Sequence, residues 1–328
     1  MALLAPAATT LGPSPVAAPA RDPYRFQPVF LLATARSYSS VVTAMIGQHP
    51  DLAGLPELKL FCAPSIAEIE ASLPRFWVER GVTHRSPGLV RALAEYLFGG
   101  QDPMALAEAR RWLRERGAWS GAEVLDVLLA RLGPRIAVEK SPENATSDEA
   151  VARLAEAYPA ARYIHLTRHP ATTQRSMQAY WERIMPDHPL EGQPMLGFAS
   201  WVDVNRRILA FTAGLPARRV LRVKAEDVLG GHAAPLIELA AWFGVSCRPA
   251  AIEAMRHPEA SPFAHEGPRG SVIIGGFDPG FLQSPKPRRI EPPPPLAKPE
   301  GWSGHESLWR MVSDLAERLG YAVEATPE

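Results

Sequence analysis

An α/β fold, with a parallel sheet flanked by helices and a long irregular segment toward the carboxyl end, is what the sequence predicts. Three observations carry this. Short strand-like runs recur at 29–33 (V-F-L-L-A), 135–138, 163–166 and 220–223; the first is wholly apolar and too short for a helix, as a strand buried on both faces should be. Between them lie longer stretches with apolar residues three and four apart, the period of a helix. Strands alternating with helices read as parallel-sheet units. Near the end, between His257 and Pro295, periodicity fails and Gly and Pro become dense.

Taken in chain order, residues 1–27 hold five prolines and no period, so a mobile tail is expected. No Lys or Arg precedes Arg21 and prolines interrupt the apolar stretch, which reads against a signal peptide. The strand at 29–33 opens the body. Helices are expected around 40–48, 90–98, 104–116, 122–132, 148–157, 236–243 and 308–319, with Gly244 and Gly320 as stop signals after the last two. An irregular stretch as long as 257–295 is usually a lid, a binding segment or disordered, and its Pro292, Pro293, Pro294 and Pro295 form a stiff spacer. Residues 28–328 then read as one domain, with 257–295 as lid and spacer.

Composition bounds the function. Among 328 residues, Lys plus Arg number 35 and Asp plus Glu 35, for a net charge of zero. That balance argues against a general nucleic-acid or membrane-surface binder and leaves room for a local basic pocket. No apolar run approaches the roughly 18 residues a membrane span requires, so a cytoplasmic protein is expected. Cys62 and Cys247 lack any C-x-x-C partner and support neither a disulfide framework nor a zinc site. His165 and His169 are four apart across a strand end, not along a helix, so no metal is expected.

Two junctions carry chemistry. Thr34-Ala35-Arg36-Ser37-Tyr38-Ser39-Ser40 follows the first strand and opens a helix. The first N–H groups of a helix lack intrahelical partners and point outward, so such a junction suits an anion; the hydroxyls of Ser37, Ser39 and Ser40 and the forked guanidinium of Arg36 add donors. A plainer alternative is Ser39 as a helix cap and Arg36 in a surface ion pair. The Walker pattern and a strand-linked G-x-G-x-x-G are both absent, which disfavours a P-loop kinase and a Rossmann dehydrogenase. Farther on, the strand Y-I-H-L-T delivers Arg168 at its carboxyl end, with Ser176 eight positions later. Ligands of doubly wound sheets bind at that edge, so Arg36 and Arg168 would share a rim and hold a ligand with two separated anionic groups.

These pieces resemble the sulfotransferase superfamily that uses 3′-phosphoadenosine 5′-phosphosulfate (PAPS). F-L-L-A-T-A-R-S-Y-S-S is similar to its strand and 5′-phosphosulfate loop, usually P-R-S-G-T-T in the bacterial and tyrosylprotein-like branch, and Y-P-A-A-R-Y-I-H-L-T-R-H-P-A-T-T-Q-R-S to its 3′-phosphate motif. V-E-K-S-P-E-N, K-A-E-D-V and L-A-E-R-L-G-Y resemble later segments, and G-G-F-D-P-G-F resembles the lid of polyketide-associated members. The resemblance spans residues 28–321 and implies a P-loop-like sheet, PAPS as co-substrate and PAP as product.

By that resemblance Arg36, Ser37, Tyr38, Ser39 and Ser40 form the 5′-phosphosulfate loop, and Arg168 and Ser176 bind the 3′-phosphate. Tyr38 stands where the loop usually has Gly and Ala35 where it has Pro; Tyr38 either crowds the phosphate or swings toward the adenosine. Lys140 neutralises charge in the matching strand-end segment, or else is a solvated lysine paired with Glu139 or Glu143. A base must take the acceptor's proton. Glu57 is the first choice, with local pairing to Lys59 as its alternative; His265, His84 and His169 are the other candidates, and His265, Arg269 and Phe277 are lid residues placed to touch acceptor or adenosine. The acceptor is a hydroxylated small molecule, a hydroxyacyl chain on an acyl carrier protein or, less favoured, a peptide tyrosine. Two rivals remain at this point, a kinase-like phosphotransferase without a Walker motif and a non-catalytic nucleotide-binding protein of the same fold.

Overall fold

A computed structural model describes residues 16–79, 84–184, 195–267, 275–286, 289–299, 302 and 304–324. Five strands, β1 (Val29–Leu32), β2 (Leu52–Gly54), β3 (Ile136–Glu139), β4 (Arg162–Thr167) and β5 (Val220–Lys224), form one sheet in the order β2-β3-β1-β4-β5. Every pairing is parallel, and the register sets Val29 beside both Val138 and Arg162. Strands β2 and β3 lie on one side of β1 and β4 and β5 on the other, which puts β1 and its neighbours at a topological switch point where a crevice opens beyond the strand ends.

The helices in chain order are α1 (Ser39–Ile46), α2 (Ile66–Ala71), α3 (Arg75–Glu79), α4 (Pro87–Phe98), α5 (Pro103–Glu115), α6 (Gly121–Leu132) and α7 (Asp148–Ala157). After β4 come α8 (Pro170–Ile184) and α9 (Leu196–Thr212), and after β5 come α10 (Ala225–Leu229), α11 (Ala234–Phe243), α12 (Pro249–Ala254), α13 (Pro279–Gln283) and α14 (Glu306–Arg318). Their starts follow local chemistry. Asp102 accepts from the N–H groups of Met104 and Ala105 ahead of Pro103, and Ser120 and Glu123 make a reciprocal capping box on α6.

All four residues of β1 are buried, and Phe30 sits at the centre of an aromatic cluster with Phe61, Tyr158 and Tyr163 at ring separations of 5.6, 5.7 and 6.2 Å. A second core joins α9 to α14 through Trp201, Trp302 and Trp309. It packs against α9 and, through Ala171, the start of α8, the helices that follow the Arg168 strand.

The structure differs from the sequence reading in several places. Part of the expected mobile tail is docked: Val16 donates to the Glu115 carbonyl at 3.2 Å and accepts from Trp119 Nε1 at 2.9 Å, while Arg21 pairs with Asp126 at 2.7 Å. Three residues were too few for β2 to show a period. Helices α8 and α9 were not singled out; α9 buries Phe198, Trp201, Val202, Val204, Ile208 and Leu209 on a broad face, which blurs an amphipathic pattern. Within the lid segment, residues 275–286 include the short helix α13, whereas Arg269 lies outside the described residues. No helix of the described residues is long and apolar enough to cross a membrane, and none of their His, Cys, Asp and Glu side chains form a group placed to hold a metal ion.

Candidate active site

The loop after β1 turns through two left-handed non-glycine residues, Arg36 at φ 67° and Tyr38 at φ 59°. Each costs on the order of 1–2 kcal/mol, a strain typical of a functional loop. Tyr38 heads α1 without a side-chain cap, so the first N–H groups of α1 stay available to the crevice. The Ser37 hydroxyl is buried with no hydrogen-bond partner among the described residues. An orphaned donor beside two arginines fits a phosphate or sulfate oxygen.

Arg168 reaches the same place from the end of β4. Its Nη1 donates to the Arg36 carbonyl at 2.5 Å and its Nε to Thr172 Oγ1 at 3.0 Å, while Trp201 Nε1 holds its own carbonyl at 2.8 Å. Its guanidinium carbon lies 3.8 Å from the Tyr38 ring centroid, so the ring that stands in place of glycine covers Arg168. Arg36 donates from Nε to Ser176 Oγ at 3.2 Å, forms an ion pair with Asp278, and has Tyr180 at 5.0 Å. Both arginines line one cavity of about 790 Å³. Burial away from water lowers the pKa of each guanidinium, yet an arginine stays charged at any physiological pH.

A second cluster faces these arginines from β3. Lys140 is 1% exposed, and its Nζ donates to Glu57 Oε1 at 2.7 Å and to Ser40 Oγ at 3.0 Å. It is therefore not a solvated strand-end lysine. Glu57 meets Lys59 only at 3.8 Å, and Lys59 instead pairs with Glu143 at 2.9 Å. Three successive N–H groups pin this segment: Glu57 donates to the Gly276 carbonyl at 2.7 Å, Leu58 to Glu139 at 3.3 Å and Lys59 to Ser141 Oγ at 2.9 Å. Glycines permit the approach. A Cβ on Gly88 would lie 2.3 Å from the Glu57 carbonyl oxygen, and one on Gly276 only 2.6 Å from the Gly88 Cα. Complete burial pushes the Glu139 carboxyl up to about 7, against hydrogen bonds from Ser141, Asn144 and Leu58 that favour its ionised form.

The structure thus brings Arg36, Ser37, Tyr38, Ser39, Ser40, Glu57, Arg168, Ser176, His84 and Phe277 to one cavity, with Lys140 bonded to two of them. His265 is not brought there; Arg91 Nη2 contacts its ring at 3.3 Å, and Arg91 also holds the Gly275 carbonyl at 2.8 Å. His169 lines a separate cavity with residues of β5 and Tyr321, and burial pushes its imidazole down to about 4. The sequence reading missed Asp278, whose N–H donates to Ser40 Oγ at 2.8 Å and whose carboxylate both caps α13 and pairs with Arg36. Its position just before Pro279 was a helix-start signal.

Residues 28–249 match the sequence profile of the Sulfotransferase family. Among solved structures, a sulfotransferase domain from the curacin biosynthetic pathway superposes with a TM-score of 0.72 at 20% identity, covering 92% of this chain and 100% of that one. A sulfotransferase domain from the Synechococcus PCC 7002 olefin synthase gives 0.67 at 24% identity, covering 92% and 98%. At these identities the likeness concerns the fold. No curated protein sequence matches the chain.

Proposed function

The chain belongs to the sulfotransferase family, and on that premise we propose that it moves a sulfuryl group from PAPS to a hydroxyl of a small molecule or a carrier-bound hydroxyacyl chain. The observation that carries the donor assignment is the meeting of Arg36 and Arg168 in one cavity, joined through the Arg36 carbonyl. Two cationic groups held in register suit a nucleotide with a phosphate at each end of its ribose. The setting of the two similar domains, a biosynthetic pathway and an olefin synthase, favours a biosynthetic acceptor.

In the reaction the bond between sulfur and the bridging 5′-phosphate oxygen breaks and a bond from sulfur to the acceptor oxygen forms. The acceptor proton passes to Glu57, and PAP leaves with the electron pair of the broken bond. Charge grows on the leaving oxygen, and in this reading Arg36, Lys140, the Ser37 hydroxyl and the first N–H groups of α1 stabilise it. Lys140 bridges Ser40 and Glu57, so the group that neutralises the leaving oxygen also fixes the base. Phe277, 4% exposed and with its ring 5.6 Å from Lys140 Nζ, keeps water from this cluster, which limits hydrolysis of the donor.

Glu57→Gln tests the assignment. Calorimetric affinity for 3′,5′-ADP is expected to stay within about two-fold while turnover of labelled PAPS falls about 10²- to 10⁴-fold, the usual worth of a general base. Normal turnover removes Glu57 as base. A wild-type protein that ignores 3′,5′-ADP and responds to ATP with Mg²⁺ overturns the donor assignment instead.

A further inference from the structure

Tyr38 holds a backbone conformation that its own side chain makes costly, since φ 59° lies in the left-handed region that a Cβ disfavours. Helix α1 draws no side-chain cap from it. What the ring does is cover Arg168, whose guanidinium carbon sits 3.8 Å from the ring centroid, within the range of a strong cation–π contact. The other restraints on that guanidinium lie in its plane, through Thr172 Oγ1 at 3.0 Å and the Arg36 carbonyl at 2.5 Å. Hydrogen bonds from Nε and Nη1 do not by themselves stop the group tilting out of its plane; a ring against its face opposes that. Arg168 is also only 7% exposed, and covering a charge from water strengthens the hydrogen bonds its free donors make.

We infer that Tyr38 is a specificity-determining positioning residue, whose ring presents Arg168 to the 3′-phosphate and so makes the protein distinguish 3′,5′-bisphosphorylated from 5′-monophosphorylated adenosine. This rests on the reading of the cavity as a PAPS site. The strain at φ 59° is then the cost of placing an aromatic ring at a point of the loop from which it reaches Arg168.

The test is calorimetric titration of the wild type and of Tyr38→Phe, Tyr38→Leu and Tyr38→Gly with 3′,5′-ADP and with 5′-AMP, alongside thermal melts. The ratio of the two affinities is expected to survive in Tyr38→Phe, which keeps the ring. It should shrink about three- to ten-fold in Tyr38→Leu and Tyr38→Gly, the loss appropriate to a partly buried cation–π contact. The melts check that each variant still unfolds cooperatively, since glycine relieves the positive φ but gives up the ring's packing; lost discrimination in a cooperatively folded protein is not misfolding. An unchanged ratio in Tyr38→Leu and Tyr38→Gly, with a discriminating wild type, overturns the role of Tyr38 alone. A wild type that binds both nucleotides equally overturns the donor reading and this inference with it.

Discussion

Arg36 and Arg168 lie at the ends of adjacent strands and touch through one carbonyl, yet the protein holds them by opposite means. Arg168 is held by neutral groups, a threonine hydroxyl, a backbone carbonyl and a tyrosine ring. Arg36 is held by a carboxylate, that of Asp278, together with Ser176. On the proposed reading, an anion arriving at Arg168 meets a charge that no ion pair among the described residues neutralises, although the field of Glu226 reaches it. An anion at Arg36, on the same reading, competes with Asp278, which also donates its N–H to Ser40. The difference teaches that, on the proposed reading, one end of the cavity offers an arginine free of a carboxylate hydrogen bond whereas the other offers one already paired with Asp278.

The largest effect should come from breaking the end at Arg168. Arg168→Ala removes charge-assisted hydrogen bonds worth about 1.5–3 kcal/mol, so affinity for 3′,5′-ADP by calorimetry is expected to fall about ten- to hundred-fold. Retention within two-fold would mean that Arg168 is structural, braced by Trp201 and the Arg36 carbonyl, and the contrast between the ends would vanish. Asp278→Asn addresses the other end. Asparagine keeps the cap on α13 and removes the negative charge from Arg36. The two side chains are 21% and 24% exposed, so solvent screens the pair and its worth is at most about 1 kcal/mol. Affinity for 3′,5′-ADP should therefore rise about three- to five-fold. A fall in affinity would show that Asp278 orients Arg36 for the ligand and does not compete with it.

The two ends also differ in how much of them the sequence discloses. Arg36 and Arg168 each follow a recognisable strand within a few residues, and that local pattern placed both on one rim. The alternation of strands and helices likewise gave the sheet class. The Lys140 cluster is different in kind. Lys140 and Glu57 are separated by 83 positions and Lys140 and Ser40 by 100, so no local period ties them, and only the resemblance suggested both. Asp278 lies 242 positions from Arg36 in a segment without period, and nothing near it in sequence names its partner. His265 shows the converse failure: a histidine in a lid-like segment suggested chemistry, but it packs on Arg91, a buried cation that braces the Gly275 carbonyl. Strand β2 escaped because it is three residues long, and α9 because its apolar face is wide.

The smallest expected effect falls on the hydroxyl between the two ends. Ser176 comes from α8, downstream of Arg168, and the resemblance assigns it to the 3′-phosphate. In the structure its oxygen accepts from Arg36 Nε at 3.2 Å, the arginine of the opposite end. A hydroxyl can accept and donate at once, so Ser176 can take the Arg36 hydrogen bond while its proton points to a phosphate beside Arg168. That makes it a bridge. Ser176→Ala then removes the hydrogen bond from Arg36, present with or without ligand, and the one to the phosphate, gained only on binding, for a loss of affinity on the order of 1 kcal/mol net. Affinity for 3′,5′-ADP should drop about three- to five-fold and that for 5′-AMP no more than about two-fold. Equal losses for both nucleotides would place Ser176 with Arg36 alone, and the line dividing the carboxylate-free end from the paired one would then run between Ser176 and Arg168.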